Sequence, residues 1–143
     1  MRIVLKTWQL LGYFGLIPFI AFLSSYQLNI NIMSVNPQQA FLSYSTIILS
    51  FLSGSLWSKS QQSNHALSLV VSNLLCIFAF INLMLPVTTS LLLLPCGYLT
   101  LLLTEIMQSK KFNWYSATYR SMRIILTVIV STLHIIAYYL WSA

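Results

Sequence analysis

Between Lys6 and Lys59 the chain runs 52 residues without an Asp, Glu, Lys or Arg. One membrane-spanning helix needs about 20 apolar residues, so a gap of that length holds a helical hairpin. Its turn is expected within residues 29–37, where Asn29, Asn31, Asn36 and Pro37 supply turn chemistry and Pro37 biases its predecessor away from helix. The first span is then residues 8–26 and the second 38–57. Composition agrees, with 58% hydrophobic and 6% charged residues and a mean hydropathy of +0.82. A soluble domain carries roughly a quarter charged residues, and lipid is the alternative host for so much apolar surface. Backbone groups in lipid must be satisfied by helices or a closed barrel. Runs such as Leu91-Leu92-Leu93-Leu94 do not alternate as barrel strands do.

The polar linker Lys59-Ser60-Gln61-Gln62-Ser63-Asn64-His65 ends this hairpin. A third span is expected over 66–85, a turn at Pro86–Thr89, a fourth span over 89–107, an interfacial loop or short surface helix over 108–115, and a fifth span over 121–141. The fold class is therefore an all-α integral membrane bundle of five transmembrane helices, one domain covering 1–143. With five alternating spans, all seven basic residues (Arg2, Lys6, Lys59, Lys110, Lys111, Arg120 and Arg123) fall on one face. A six-helix count would split them. Basic residues in short loops stay cytoplasmic, which places the N-terminus in and the C-terminus out. The net charge of +6 is then explained by orientation and anionic headgroups, without nucleic acid. A signal peptide is the competing reading of the start. Its apolar stretch is long for that role, and no A-x-A site closes it.

Glu105 is the sole acidic residue. A carboxylate near the inner end of the fourth span should face the bundle and find a cation. Arg123 is the favoured partner, with Arg120 or Lys110 as alternatives. The pair reads as a structural pin, or as a carboxylate handling a proton, a cation or a headgroup. His134 reads as a neutral side chain bonded to a neighbouring helix, or as a proton-relay or quinone contact. His65 reads as interfacial. The second span carries small polar residues (Ser43, Ser45, Thr46, Ser50, Ser53, Gly54 and Ser55), and Ser50 with Gly54 forms a small-xxx-small ridge suited to close packing or a polar cavity. Gly12 and Gly15 offer a flat patch on the first span, which Pro18 should kink. Trp8, Trp57, Trp114, Tyr115, Tyr138, Tyr139 and Trp141 read as interfacial belts. Cys76 and Cys96 read as buried small hydrophobes; neither spacing nor nearby His supports metal or a disulfide. Soluble-enzyme motifs are absent, so no catalytic residue, metal or cofactor is expected, although Ser–His chemistry inside the membrane stays open.

Several motifs resemble a known family. Gly12-Tyr13-Phe14-Gly15-Leu16-Ile17-Pro18-Phe19 is similar to the Gly-x-x-Pro-Phe opening of a small membrane family that includes transmembrane protein 69, a domain of unknown function. Ser50-Phe51-Leu52-Ser53-Gly54-Ser55-Leu56-Trp57, following Tyr44, resembles its Ser-Phe-x-x-Gly-x-x-Trp signature. Trp114-Tyr115 with Arg123-Ile124-Ile125-Leu126-Thr127 resembles its Trp-Tyr…Arg-x-x-Leu-Thr pattern, with Arg120 an alternative equivalent of Arg123. Glu105 stands where that family often has Asp. The resemblance implies a bacterial inner-membrane protein, or a mitochondrial inner-membrane one in a eukaryote, and brings no activity. It draws attention to Pro18, Tyr44, Gly54, Trp57, Glu105, Trp114, Tyr115 and Arg123. Three roles follow as expectations. The first is an accessory or assembly factor acting through helix contacts with another membrane protein or a second copy. The second is a small transporter or channel with a polar cavity near the inner face. The third is a lipid- or quinone-binding protein.

Overall fold

The computed structural model describes residues 2–31, 34–113 and 115–142, with side chains from Thr7 onward, and every regular element in it is a helix. The first rod consists of α1 (Arg2–Phe14) and α2 (Ile17–Gln27). It is followed by α3 (Pro37–Gln62), α4 (Ala66–Asn82), α5 (Val87–Phe112) and α6 (Ala117–Ser142). Four stretches are long and apolar enough to cross a membrane: Thr7–Gln27, Pro37–Gln62, Val87–Phe112 and Ala117–Ser142. The remaining rod, α4, is apolar but has only 17 residues.

The break in the first rod has a covalent cause. Pro18 has no N–H for the Phe14 carbonyl, and its ring crowds that oxygen. Gly15 N–H still makes the α-helical bond to Leu11 O at 3.1 Å, and the next step tightens, with Leu16 N–H donating three residues back to Tyr13 O at 3.0 Å. Tyr44 on α3 then caps the exposed backbone, its hydroxyl donating to Gly15 O at 2.9 Å.

The helices outrun the expected spans. Each of α3, α5 and α6 has 26 residues, about 39 Å at 1.5 Å per residue against a hydrocarbon core of about 30 Å. Counting apolar residues finds only the part that must sit in lipid. Thus α3 continues past 57 to Gln62, with Lys59 in its last turn, and α5 continues past 107 to Phe112, taking in Lys110 and Lys111. Cations there suit the helix dipole. The expected loop over 108–115 shrinks, since α5 ends only at Phe112 and α6 starts at Ala117 rather than 121. In contrast, α4 stops at Asn82, short of 85, because Pro86 forces a turn that Ser90 fastens by donating to Asn82 O at 2.7 Å. Three breaks use asparagine in the left-handed region, at Asn29 (φ 54°), Asn64 (φ 50°) and Asn113 (φ 54°), where a short polar side chain tolerates that conformation. Of the expected turn over 29–37, Ile32 and Met33 lie outside the described residues.

Packing is uneven. Helices α3, α4 and α5 pack on one another, α6 packs on α5, and α2 fits between α3 and α6; α1 leans chiefly on α6. In lipid, helix association relies on close packing and interhelical hydrogen bonds. Buried serines supply both here. Ser45, Ser53 and Ser60 lie on the buried face of α3, and Ser72 of α4 donates to Ser53 O across the α3–α4 contact. The close approach expected at Gly54 falls elsewhere. Gly54 is exposed, with nothing within 4 Å of where a Cβ would stand. The crossing glycine is Gly97 on α5, whose added Cβ would meet Phe78 at 2.8 Å and Leu49 at 2.9 Å. Cys76 and Cys96, expected to be buried, are exposed on the apolar surface and unbridged.

Candidate intramembrane site

At one end of the bundle the turn between α5 and α6 returns Arg123 to the depth of Glu105. Arg123 Nε donates to Oε2 at 3.0 Å and Nη2 approaches Oε1 at 3.4 Å, a two-point contact. Both residues are buried, at 3% and 5% exposure. This is the ion pair found among the described residues; Arg120 is half-buried and its backbone N–H caps onto Ser116 O. Two tyrosines close over the pair. Tyr115 stacks on Tyr119 at 4.7 Å between ring centroids, and Tyr119 meets Trp8 of α1 at 5.6 Å. Lys59 Nζ lies 5.9 Å from the Tyr115 ring. Burial, and then the Glu105 carboxylate, push the Tyr115 phenol well above its ordinary value. Trp114 lies outside the described residues, and Trp57 is exposed.

A second polar centre lies deeper, about 16 Å farther along α6 by helical rise from Arg123. His134 Nδ1 is 2.8 Å from Val130 O, and a carbonyl can only accept, so this nitrogen carries the proton. In the neutral ring Nε2 is then bare, and the Ser45 hydroxyl donates to it at 2.8 Å. Tyr98 donates to Ser45 O at 2.7 Å and lies 3.3 Å from Ser45 Oγ. Phe19 and Phe41 wall the imidazole, with centroids at 5.8 and 5.0 Å. A serine donating to an oriented histidine has the sense of a nucleophile–base pair. However, Ser45 and His134 are both 0% exposed, and the nearest donor, Tyr98, is already used on the Ser45 carbonyl. No substrate atom can reach Oγ. The cluster therefore clamps α3, α5 and α6.

Between these centres runs a cleft of about 350 Å³, bounded by α1 and α2 on one side and α3, α5 and α6 on the other. Its walls are almost wholly apolar (Leu11, Leu16, Ile48, Leu52, Met122 and Leu126 among them). Arg123, Tyr119 and Trp8 stand at one end, and Phe19, Tyr98 and Val130 at the other. Small residues open it: Gly12 and Gly15 line the α1–α2 side, and Gly12 would meet Met122 Sδ at 3.1 Å if it carried a Cβ. Thr127 lines it one turn beyond Arg123, with a buried Oγ1 that has no hydrogen-bond partner in the protein.

The sequence-derived site residues thus divide. Glu105, Arg123 and Tyr115 gather at one end; Tyr44 and His134 belong to the deeper aromatic cluster; Pro18 sets the break beside it. Ser50 contributes only its carbonyl, accepting from Ser53 Oγ at 2.8 Å. His65 has a local task, capping α4 by accepting from Ser68 N–H at 3.3 Å. Tyr98 escaped the sequence reading, and Thr127 entered it only as the last residue of the Arg-x-x-Leu-Thr pattern. A tyrosine in mid-span, far from an interfacial belt, needs a buried partner and was the available signal for the first. Thr127, four residues after Arg123, shares its helix face. Among the described residues no group of three His, Cys, Asp or Glu could hold a metal.

Comparison with curated proteins and with solved structures finds no match. A family model does match, over residues 4–139 and so nearly the whole chain. The chain belongs to the family described as protein of unknown function DUF3429.

Proposed function

We propose that this protein binds one lipid-like, chain-bearing molecule inside the membrane, in the cleft between its broken first rod and α6. The cleft carries the reading. Its volume of about 350 Å³ falls at the lower end of the 300–1,000 Å³ typical of small-molecule sites, enough for a single apolar chain. Its apolar walls suit that chain, and the polar groups at its ends offer orientation. An apolar groove of about 320 Å³ also lies between α4 and α5, lined by Val71, Leu75, Phe78 and Gly97, but it has no buried charged group at its end, whereas the α1–α6 cleft has Arg123. A transporter would need a polar path through the bundle, whereas the deep polar groups Ser45, Tyr98 and His134 are engaged with one another. Among the described residues, exposed large apolar side chains occur on every helix, and the accessory-factor role has no feature as localised as the cleft.

The same reading places the N-terminus and the Glu105 end on the cytoplasmic or matrix side. The seven basic residues and the contacts joining Trp8, Lys59, Tyr115 and Tyr119 at one end support it. The likeness to the transmembrane protein 69-like family points to a bacterial or mitochondrial inner membrane. No catalysis is assigned.

The test is purification of the full chain from membranes in a mild mimic, followed by native mass spectrometry. One lipid-sized adduct per chain is expected, and Gly12→Phe, which fills the cleft from α1, should remove it while leaving helicity unchanged. A bare chain, or an adduct indifferent to Gly12→Phe, overturns the proposal.

A further inference from the structure

Resting on that cleft reading, we infer that its occupant carries a neutral carbonyl head, held by the Thr127 hydroxyl at the Arg123 end. Three observations support this. First, Thr127 is 2% exposed, lines the cleft, and has an Oγ1 without a partner in the protein. A hydroxyl buried unpaired is costly, and the loss is recovered when a ligand supplies an acceptor. The other deep hydroxyl on the wall, Tyr98, is committed to Ser45 O.

Second, the charge of the site is already balanced. Arg123 is the only ionised group on the cleft wall among the described residues, and Glu105 takes its Nε and Nη2. A carboxylate or phosphate head would have to share Arg123 with a carboxylate 3.0 Å from it, and like charges in a poorly screened interior repel strongly. A cationic head would face the Arg123 charge directly. A neutral acceptor meets neither penalty. Third, Thr127 stands one turn from Arg123 toward the apolar length of the cleft, so a head bonded there directs its tail past Leu126 and Val130 toward Phe19.

The required chemistry is a carbonyl oxygen on a long apolar chain. An isoprenoid quinone and a neutral single-chain acyl ester both provide it, so the experiment must separate them. Full-length protein in lipid nanodiscs is titrated with decylubiquinone, methyl oleate, oleate and a head-free branched alkane, binding being read by native mass spectrometry. One or both carbonyl probes should bind more tightly than oleate and the alkane, and the tighter of the two identifies the source. Thr127→Val, nearly isosteric, should weaken that probe about three- to tenfold, the loss of one hydrogen bond, and leave the alkane unchanged. Glu105→Gln should invert the order by uncovering the Arg123 charge, so that oleate gains. Preference for oleate by the unaltered protein, or carbonyl binding indifferent to Thr127→Val, overturns the neutral-head inference while the cleft stands. Failure of every probe to bind overturns the cleft and the inference together.

Discussion

The two polar centres buried in this bundle are built from similar means and end in different states. At His134 three groups pair with one another: Nδ1 gives to Val130 O, Nε2 receives from Ser45, and Tyr98 gives to the Ser45 carbonyl. Around Arg123 the ion pair is complete, but its surroundings are not. Thr127 Oγ1 and Gln108 Oε1 are buried without partners in the protein, as is Ser131 Oγ, which lies one turn from His134 rather than beside Arg123. The first centre lies where α2, α3, α5 and α6 close together, and the second faces the side on which α1 touches little but α6. A satisfied polar cluster ties helices. The unsatisfied Thr127 stands beside the open cleft, where the proposed ligand would bind.

That contrast can be broken most forcefully at the ion pair. Arg123→Ala strands the Glu105 carboxylate, and removing one partner of a buried pair costs about 3–5 kcal/mol. The unfolding midpoint in detergent should fall steeply, and replacing both residues by Met and Leu should recover most of it. Equal damage from the single and double changes would show that the pair is not the source of the loss. Next comes packing. Gly97→Ala places a Cβ against Phe78 and Leu49 and should cost about 1–3 kcal/mol, whereas Gly54→Ala, in open space, should leave the midpoint within about 0.5 kcal/mol. Smaller still, Ser45→Ala removes one hydrogen bond from the closed cluster, worth about 0.6–1.5 kcal/mol. It should lower stability without touching ligand binding, the reverse of Thr127→Val. Tyr44→Phe frees the Gly15 carbonyl at the helix break and should cost about 0.5–1.5 kcal/mol in the same melt. If Ser45→Ala weakened ligand binding as much as Thr127→Val, the division between clamp and site would fail.

The helical bundle was legible because lipid imposes it. A charge-free stretch of 52 residues has few other homes, and Pro18 and Pro37 mark where helices break or begin. The boundaries of α3 and α5 shifted outward because those helices continue past their apolar stretch, taking in lysines in their last turns. Which face of a helix turns inward was far less legible. Soluble helices betray their buried face by polarity, but here both faces are apolar. Gly54 therefore looked like a contact residue and Gly97 escaped notice. The Ser45–Tyr98–His134 cluster joins positions 53 and 89 residues apart, with no local signal linking them. Glu105 was different. A single acid in a hydrophobic chain must be paired, and the turn between α5 and α6 leaves few cations in reach.

The most direct measurement is a density map of the full chain in nanodiscs formed from native membranes. Continuous, rod-shaped density is expected between Gly12 and Leu126, ending within hydrogen-bond distance of Thr127 Oγ1. A map in which Met122 and Leu126 close onto α1, leaving no space and no density beside Thr127, would contradict the binding site.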